Sequence, residues 1–249
     1  MILRFFGRVL ANYLSRPSSR YVAQTTDSLE TLKKNLVPGD VLLVEGNLRV
    51  STAIKYLTQS TWSHSALYVG DILGQRNEAG ESLNLIEADL CCGVIAVPLS
   101  KYEKFHTRIC RPVGLTDEDR NKVVQYAISR LGNTYDLKNV IDLLRYLFPT
   151  PPVPTPWRRR LLAFGSGEPT KAICSTLIAQ AFQSVRYPIL PTITKVSVAN
   201  GPKSDFLKDI LHIRHHSLFA PRDFDISPYF QIIKPTIENG FRYTELQWE

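Results

Sequence analysis

The run Lys171-Ala172-Ile173-Cys174-Ser175-Thr176-Leu177-Ile178-Ala179-Gln180-Ala181-Phe182 limits the choice of fold more than any other stretch. Ile178, Ala181 and Phe182 recur at helical spacing after Cys174, which predicts a buried helix opened by that cysteine. Such a helix needs a second layer of structure to cover its apolar side. A cysteine at a helix start meets the positive end of the dipole and backbone N–H groups without intrahelical acceptors, which favours the thiolate. Two readings stay open here: Cys174 is a small core residue, or it is a nucleophile.

The covering layer is legible upstream. Residues 27–36 have the pattern of a short amphipathic helix, and Pro38-Gly39-Asp40 turns the chain into the apolar strand Val41-Leu42-Leu43-Val44-Glu45. Residues 51–58 fit a helix capped by Ser51. In Trp62-Ser63-His64-Ser65-Ala66-Leu67-Tyr68-Val69-Gly70 the alternation puts His64, Ala66 and Tyr68 on one strand face, with Ser65, Leu67 and Val69 on the other. A histidine there is either a satisfied structural residue or a base waiting for a partner. After a polar hairpin at 74–82, Leu83-Asn84-Leu85-Ile86-Glu87-Ala88-Asp89 forms a further strand. Its Glu87 is a surface carboxylate, or, if this strand neighbours that of His64, a group beside the imidazole. Residues 93–99 and 105–112 continue an antiparallel meander, the second as an edge strand ended by Pro112.

Thr116 caps a helix whose first turn is acidic and whose core stripe is Val123, Val124, Ala127, Ile128 and Leu131; Gly132 stops it. A second helix is expected from Leu137 to Phe148. Pro149-Thr150-Pro151-Pro152-Val153-Pro154-Thr155-Pro156 is an extended spacer that starts an insertion over about 149–170. Past the Cys174 helix, Pro221-Arg222-Asp223-Phe224 and Ser227-Pro228-Tyr229-Phe230 read as turns feeding a last strand, 231–234.

Composition narrows the classes. With 44% hydrophobic and 21% charged residues the chain is an ordinary globular one. Its net charge of +7 fits an anionic partner. No basic and aromatic stripe marks a nucleic-acid groove, so a membrane surface is favoured over nucleic acid. Read as a helix, Ile2, Phe5, Phe6, Val9, Leu10 and Tyr13 cluster on one side with arginines elsewhere, the pattern of an interfacial membrane helix or of one packed on its own domain. No run reaches the roughly 18 apolar residues that span a bilayer. The first ten residues lack a signal-peptide core, which leads us to expect a cytoplasmic protein, peripheral on the inner face of the membrane if that helix binds lipid. Cys91, Cys92, Cys110 and Cys174 form neither a CxxC pair nor a disulfide framework. His212, His215 and His216 lack a carboxylate or cysteine companion, so no metal and no cofactor is expected.

Taken in order, Pro38-Gly39-Asp40-Val41-Leu42-Leu43, Trp62 to Gly70, Ile86-Glu87-Ala88 with Gly93-Val94, Gly132-Asn133-Thr134-Tyr135-Asp136, Ile173-Cys174-Ser175 and Pro221-Arg222-Asp223-Phe224 resemble the permuted papain-like cysteine hydrolases of the NlpC superfamily, YiiX/YebB-like branch. Histidine precedes cysteine, as in the permuted order. The resemblance implies an α+β fold, an antiparallel sheet or half-barrel packed against helices, with the nucleophile at a helix N-terminus. It spans about residues 36–235, with 1–35 as an amphipathic helical extension and 236–249 as a tail. It implies Cys174 as nucleophile, His64 as general base and acid, Glu87 as the group holding the imidazole, and Tyr135 as an oxyanion donor or pocket residue. The expected activity is a thiol hydrolase of amide or ester acyl bonds working through a thioester. The substrate would be an acyl-bearing peptide, amide or lipid. A lipid-directed acyltransferase or phospholipase, resembling the lecithin:retinol acyltransferase relatives, is the alternative. A binding module without turnover is the third reading.

Overall fold

Val41, Leu42, Leu43 and Val44 are all buried, yet they serve two different cores. Side chains of a strand alternate between faces. Val41 and Leu43 therefore join one cluster with Leu67, Val69 and Ile86, while Leu42 and Val44 join another with Ala66, Tyr68, Leu85 and Ile109. A strand apolar on both faces must lie inside a sheet with helices on each side, and that is the architecture found. The protein is described by a computed structural model that covers residue 16 and residues 27–89, 92–134, 173–197 and 207–245.

The elements in chain order are α1 (Leu29–Asn35), β1 (Val41–Val44), α2 (Arg49–Thr58), β2 (His64–Tyr68), β3 (Leu83–Asp89), β4 (Gly93–Pro98), β5 (Thr107–Pro112), α3 (Asp117–Ile128), α4 (Ile173–Ser184), β6 (Thr192–Ser197), β7 (Leu207–His212), α5 (Pro221–Asp225), β8 (Phe230–Ile233) and α6 (Pro235–Glu238). Six strands form an unclosed antiparallel sheet in the order β4-β3-β2-β1-β5-β8. β2 and β3 are neighbours, with Leu67 opposite Ile86 and Tyr68 opposite Leu85. This is the α+β architecture of an antiparallel sheet packed against helices.

One face is covered by α3 and α4. Leu177, Ile178, Ala181 and Phe182 of α4 and Val123, Val124 and Ala127 of α3 pack with Leu43, Leu67 and Ile86. Phe182 is fully buried, with the rings of Tyr187, Phe224 and Phe230 at 5.6, 6.5 and 5.2 Å. The other face takes Leu32 of α1, Leu36, Leu99 and Tyr102. The turn before β1 is held by a buried carboxylate: Asp40 accepts from the Val37 N–H at 2.9 Å and from Arg111 Nε and Nη2 at 2.9 and 2.8 Å.

The helix caps follow the sequence at α1 and α3, where Ser28 accepts from the Thr31 N–H and Thr116 from the Asp119 N–H. Three expectations are corrected, and one strand pair is new. α2 begins at Arg49, two residues earlier than expected, so Ser51 lies in its first turn and caps nothing; there its hydroxyl crowds Gly46, where a Cβ would sit 2.4 Å from it. β5 is not an edge strand, because β8 returns to pair with it and Pro112 falls at its last position, where a missing N–H is tolerated. The segment from Pro221 is a short helix, with proline at its start and Asp223 accepting from the Ala220 N–H. Finally, β6 and β7 form a separate antiparallel pair that the sequence reading did not anticipate.

The expected helix at residues 1–13, the helix at 137–148, the insertion at 149–170 and Tyr135 lie outside the described residues. Among the described residues no helix is long and apolar enough to cross a membrane.

Candidate active site

Cys174 is the second residue of α4 and is buried, 5% exposed. Because the apolar side of α4 packs on β2 and β3, the helix start comes down on the strands that carry His64 and Glu87. Ser175 secures it: its hydroxyl donates to the Phe219 carbonyl at 2.6 Å.

His64 is the first residue of β2, with its imidazole within hydrogen-bond reach of the Cys174 sulfur. Its Nε2 is 3.2 Å from Glu87 Oε2, which leaves Nδ1 as the nitrogen for the sulfur. Glu87 is 1% exposed, so the surface reading of this residue is corrected. Its strand packs both faces in cores, and a carboxylate inside such a strand persists only with partners. Glu87 has three. Besides His64, Lys101 Nζ is 2.5 Å from Oε1, and the buried Tyr102 hydroxyl donates to Oε2.

These contacts set the charges. Burial alone would keep Glu87 protonated, but the adjacent His64 and Lys101 hold it down at about 2, against an ordinary 4.5. Burial likewise opposes an imidazolium, yet the Cys174 sulfur and the Glu87 carboxylate lift His64 from 6.5 to about 10. For Cys174 burial disfavours the thiolate; His64, helped by the hydroxyl and backbone of Ser65, overrides it and brings the thiol below its ordinary 9.0. Both shifts run the same way, toward an anionic sulfur beside a protonated imidazole. Cys110 supplies the contrast: buried in β5, its thiol is pushed far up, first by desolvation.

Cys174, His64 and Glu87 are thus brought together, from three elements, in an arrangement that can deliver a nucleophile, a proton carrier and an orienting anion. Lys101 and Tyr102 were missed. They sit on a 3₁₀ turn, Leu99–Tyr102, that follows β4 and folds back over β3. No spacing rule connects that turn to Glu87. The one available signal was a buried-strand carboxylate still in need of counter-charge. Cys92 is exposed at the β3–β4 turn and Cys91 lies outside the described residues. Among the described residues no set of three or more His, Cys, Asp and Glu side chains is grouped to hold a metal ion.

Comparison with known proteins bears on this geometry. Residues 35–146 match the family described as permuted papain-like amidase enzyme, YaeF/YiiX, C92 family. That span contains His64 and Glu87 and ends before Cys174. Among solved structures the chain is similar to the metalloprotein YiiX of Escherichia coli O157:H7, at 17% identity and a TM-score of 0.44, over 86% of this chain and 98% of that one. No curated protein matches the chain. The family match carries the resemblance drawn from the sequence motifs: the fold is permuted papain-like, and the activity it points to is that of a cysteine-type hydrolase acting on an acyl or amide-bearing substrate.

Proposed function

We propose that this protein is a thiol hydrolase of amide bonds, with Cys174 as nucleophile, His64 as base and acid, and Glu87 as the anion that orients the imidazole. The observation that carries the reading is the buried Cys174 at the start of α4, within reach of an imidazole whose other nitrogen is held by Glu87. The amidase description of the matched family supports amides over esters.

The chemistry runs from the ion pair. The Cys174 thiolate attacks the acyl carbonyl, and the carbonyl π electrons move to oxygen. The backbone N–H of Cys174, in the first turn of α4, is the group we assign to bind that oxyanion. One such donor is worth about 3–4 kcal/mol in comparable sites. His64 then gives its proton to the departing amine as the C–N bond breaks, leaving a thioester on Cys174. A water molecule, deprotonated by the now neutral His64, attacks the thioester and releases the acid. The thiolate and imidazolium are thereby restored. Throughout, Glu87 stays ionised, holds Nε2 and stabilises the imidazolium.

The test uses an activated acyl-amide probe detected by intact mass. Wild type accumulates a single acyl adduct that Cys174→Ala does not form, and turnover falls to background in Cys174→Ala and by about 10²–10⁴-fold in His64→Ala. Equal labelling of wild type and Cys174→Ala would remove Cys174 from the mechanism.

A further inference from the structure

One polar group beside the sulfur is assigned no step in the reaction scheme above. Ser65 follows His64 on β2 and is fully buried. It shares its strand face with Leu67 and Val69, the face that α4 covers. Packing alone would be served there by alanine. Instead a hydroxyl is buried, and Ser65 Oγ makes no well-formed hydrogen bond. A hydroxyl taken from water and left unpaired destabilises the fold, so its presence calls for a state in which it is paired. The polar atom within its range is the Cys174 sulfur, which the Ser65 backbone also approaches. A neutral thiol is a weak acceptor, and an anionic sulfur is a strong one.

We propose that Ser65 is a further catalytic residue: its hydroxyl donates to the Cys174 sulfur when that sulfur is anionic, and so biases the pair toward thiolate before substrate arrives. His64 and Ser65, consecutive on one strand, then serve the same atom in different ways. The imidazole approaches from the first position of β2 and carries the mobile proton. The hydroxyl approaches from the helix-facing side and keeps its own proton. No bond is made or broken by Ser65. Its contribution is to the charge distribution at rest and to restoring that distribution when the thioester is released.

The inference rests on the proposed role of Cys174, and the experiment separates the two. The rate of Cys174 alkylation by iodoacetamide is measured across pH in the full chain, for wild type and Ser65→Ala, alongside thermal unfolding. We expect a wild-type midpoint below that of an ordinary thiol. In Ser65→Ala the midpoint rises by about half to one pH unit and alkylation below it slows about 3- to 10-fold. The unfolding temperature should fall by no more than about 2–4 °C, the effect of one hydrogen bond. An unshifted midpoint in Ser65→Ala, with a low wild-type midpoint, would overturn the role of Ser65 and leave the nucleophile intact. A fall in unfolding temperature without a shift, or a variant that does not fold, would show the hydroxyl to be structural. A wild-type midpoint at the ordinary thiol value would end both readings.

Discussion

At the scale of single residues the site is a chain of neighbours, each of which fixes the charge of the next. Lys101 and Tyr102 hold Glu87, Glu87 holds His64, and His64 lies against Cys174 and favours its thiolate. The sequence pointed to the last three because each stands at a position that is awkward for its chemistry: a histidine opening a core strand, a carboxylate after an apolar triplet, a thiol at a helix start. Lys101 and Tyr102 carried no such sign, since neither residue is unusual in a turn. Tyr102→Phe measures their share. Removing a hydrogen bond to a buried carboxylate should cost about 1.5–3 kcal/mol of stability at neutral pH. The sign with pH follows from linkage. Glu87 has a folded value of about 2 against an ordinary 4.5, so its contribution is present above 4.5 and is lost as pH falls toward 2. Without the Tyr102 donor the folded value rises, and acid unfolding of the variant should begin at higher pH than in wild type. Coincident acid transitions for the two proteins, followed by circular dichroism, would contradict this.

At the scale of elements, periodicity and capping located the strands and helices well wherever one face is apolar. Val123, Val124 and Ala127 form the α3 stripe, and the two faces of β2 divide between the two cores as the alternation requires. What local pattern could not supply was pairing. β5 reads as an edge strand because Pro112 ends it, and only the return of β8, more than a hundred residues on, places it inside the sheet. The β6–β7 pair was missed because residues 192–197 were given no element, and the end of β7 was read only for His212. Packing between elements makes a sharp prediction at Gly93. Its φ is +77°, and an added Cβ would lie 2.2 Å from the Asn133 carbonyl oxygen, backbone that itself accepts from the Val94 N–H. Gly93→Ala combines a left-handed backbone with a clash against backbone, so it should destabilise the protein by about 2–3 kcal/mol. It should also loosen the link between β4 and the segment after α3. Chemical denaturation reads the first effect, and amide exchange at Val94 the second; a change below about 0.5 kcal/mol would show that the turn adapts.

At the scale of the whole molecule, the chain order lets one sheet carry both His64 and Glu87, the proposed base and its anion, while Cys174, the proposed nucleophile, arrives on a helix more than eighty residues later in the chain. Two cores hold that geometry: α4 is pinned through Phe182 and Leu177, and the opposite face is closed by Leu32, Leu99 and Tyr102. Tyr102 thus belongs to a core and to the site at once, which ties the orientation of Glu87 to the packing of the far face. The ordered motifs made this architecture legible from the sequence, because they mark the turn before β1, the strands β2 and β3 and the start of α4. The substrate side was not legible, since the 149–170 insertion falls outside the ordered motifs, and both it and Tyr135 lie outside the described residues. The most direct measurement of the central claim is the ultraviolet absorbance of the thiolate, taken as wild type minus Cys174→Ala across pH. The account predicts a thiolate signal that is already present below the ordinary thiol value of 9.0, coexists with an imidazolium that persists to about 10, and moves to higher pH in His64→Ala. A signal that emerges only at or above 9.0, and is indifferent to His64, would contradict it.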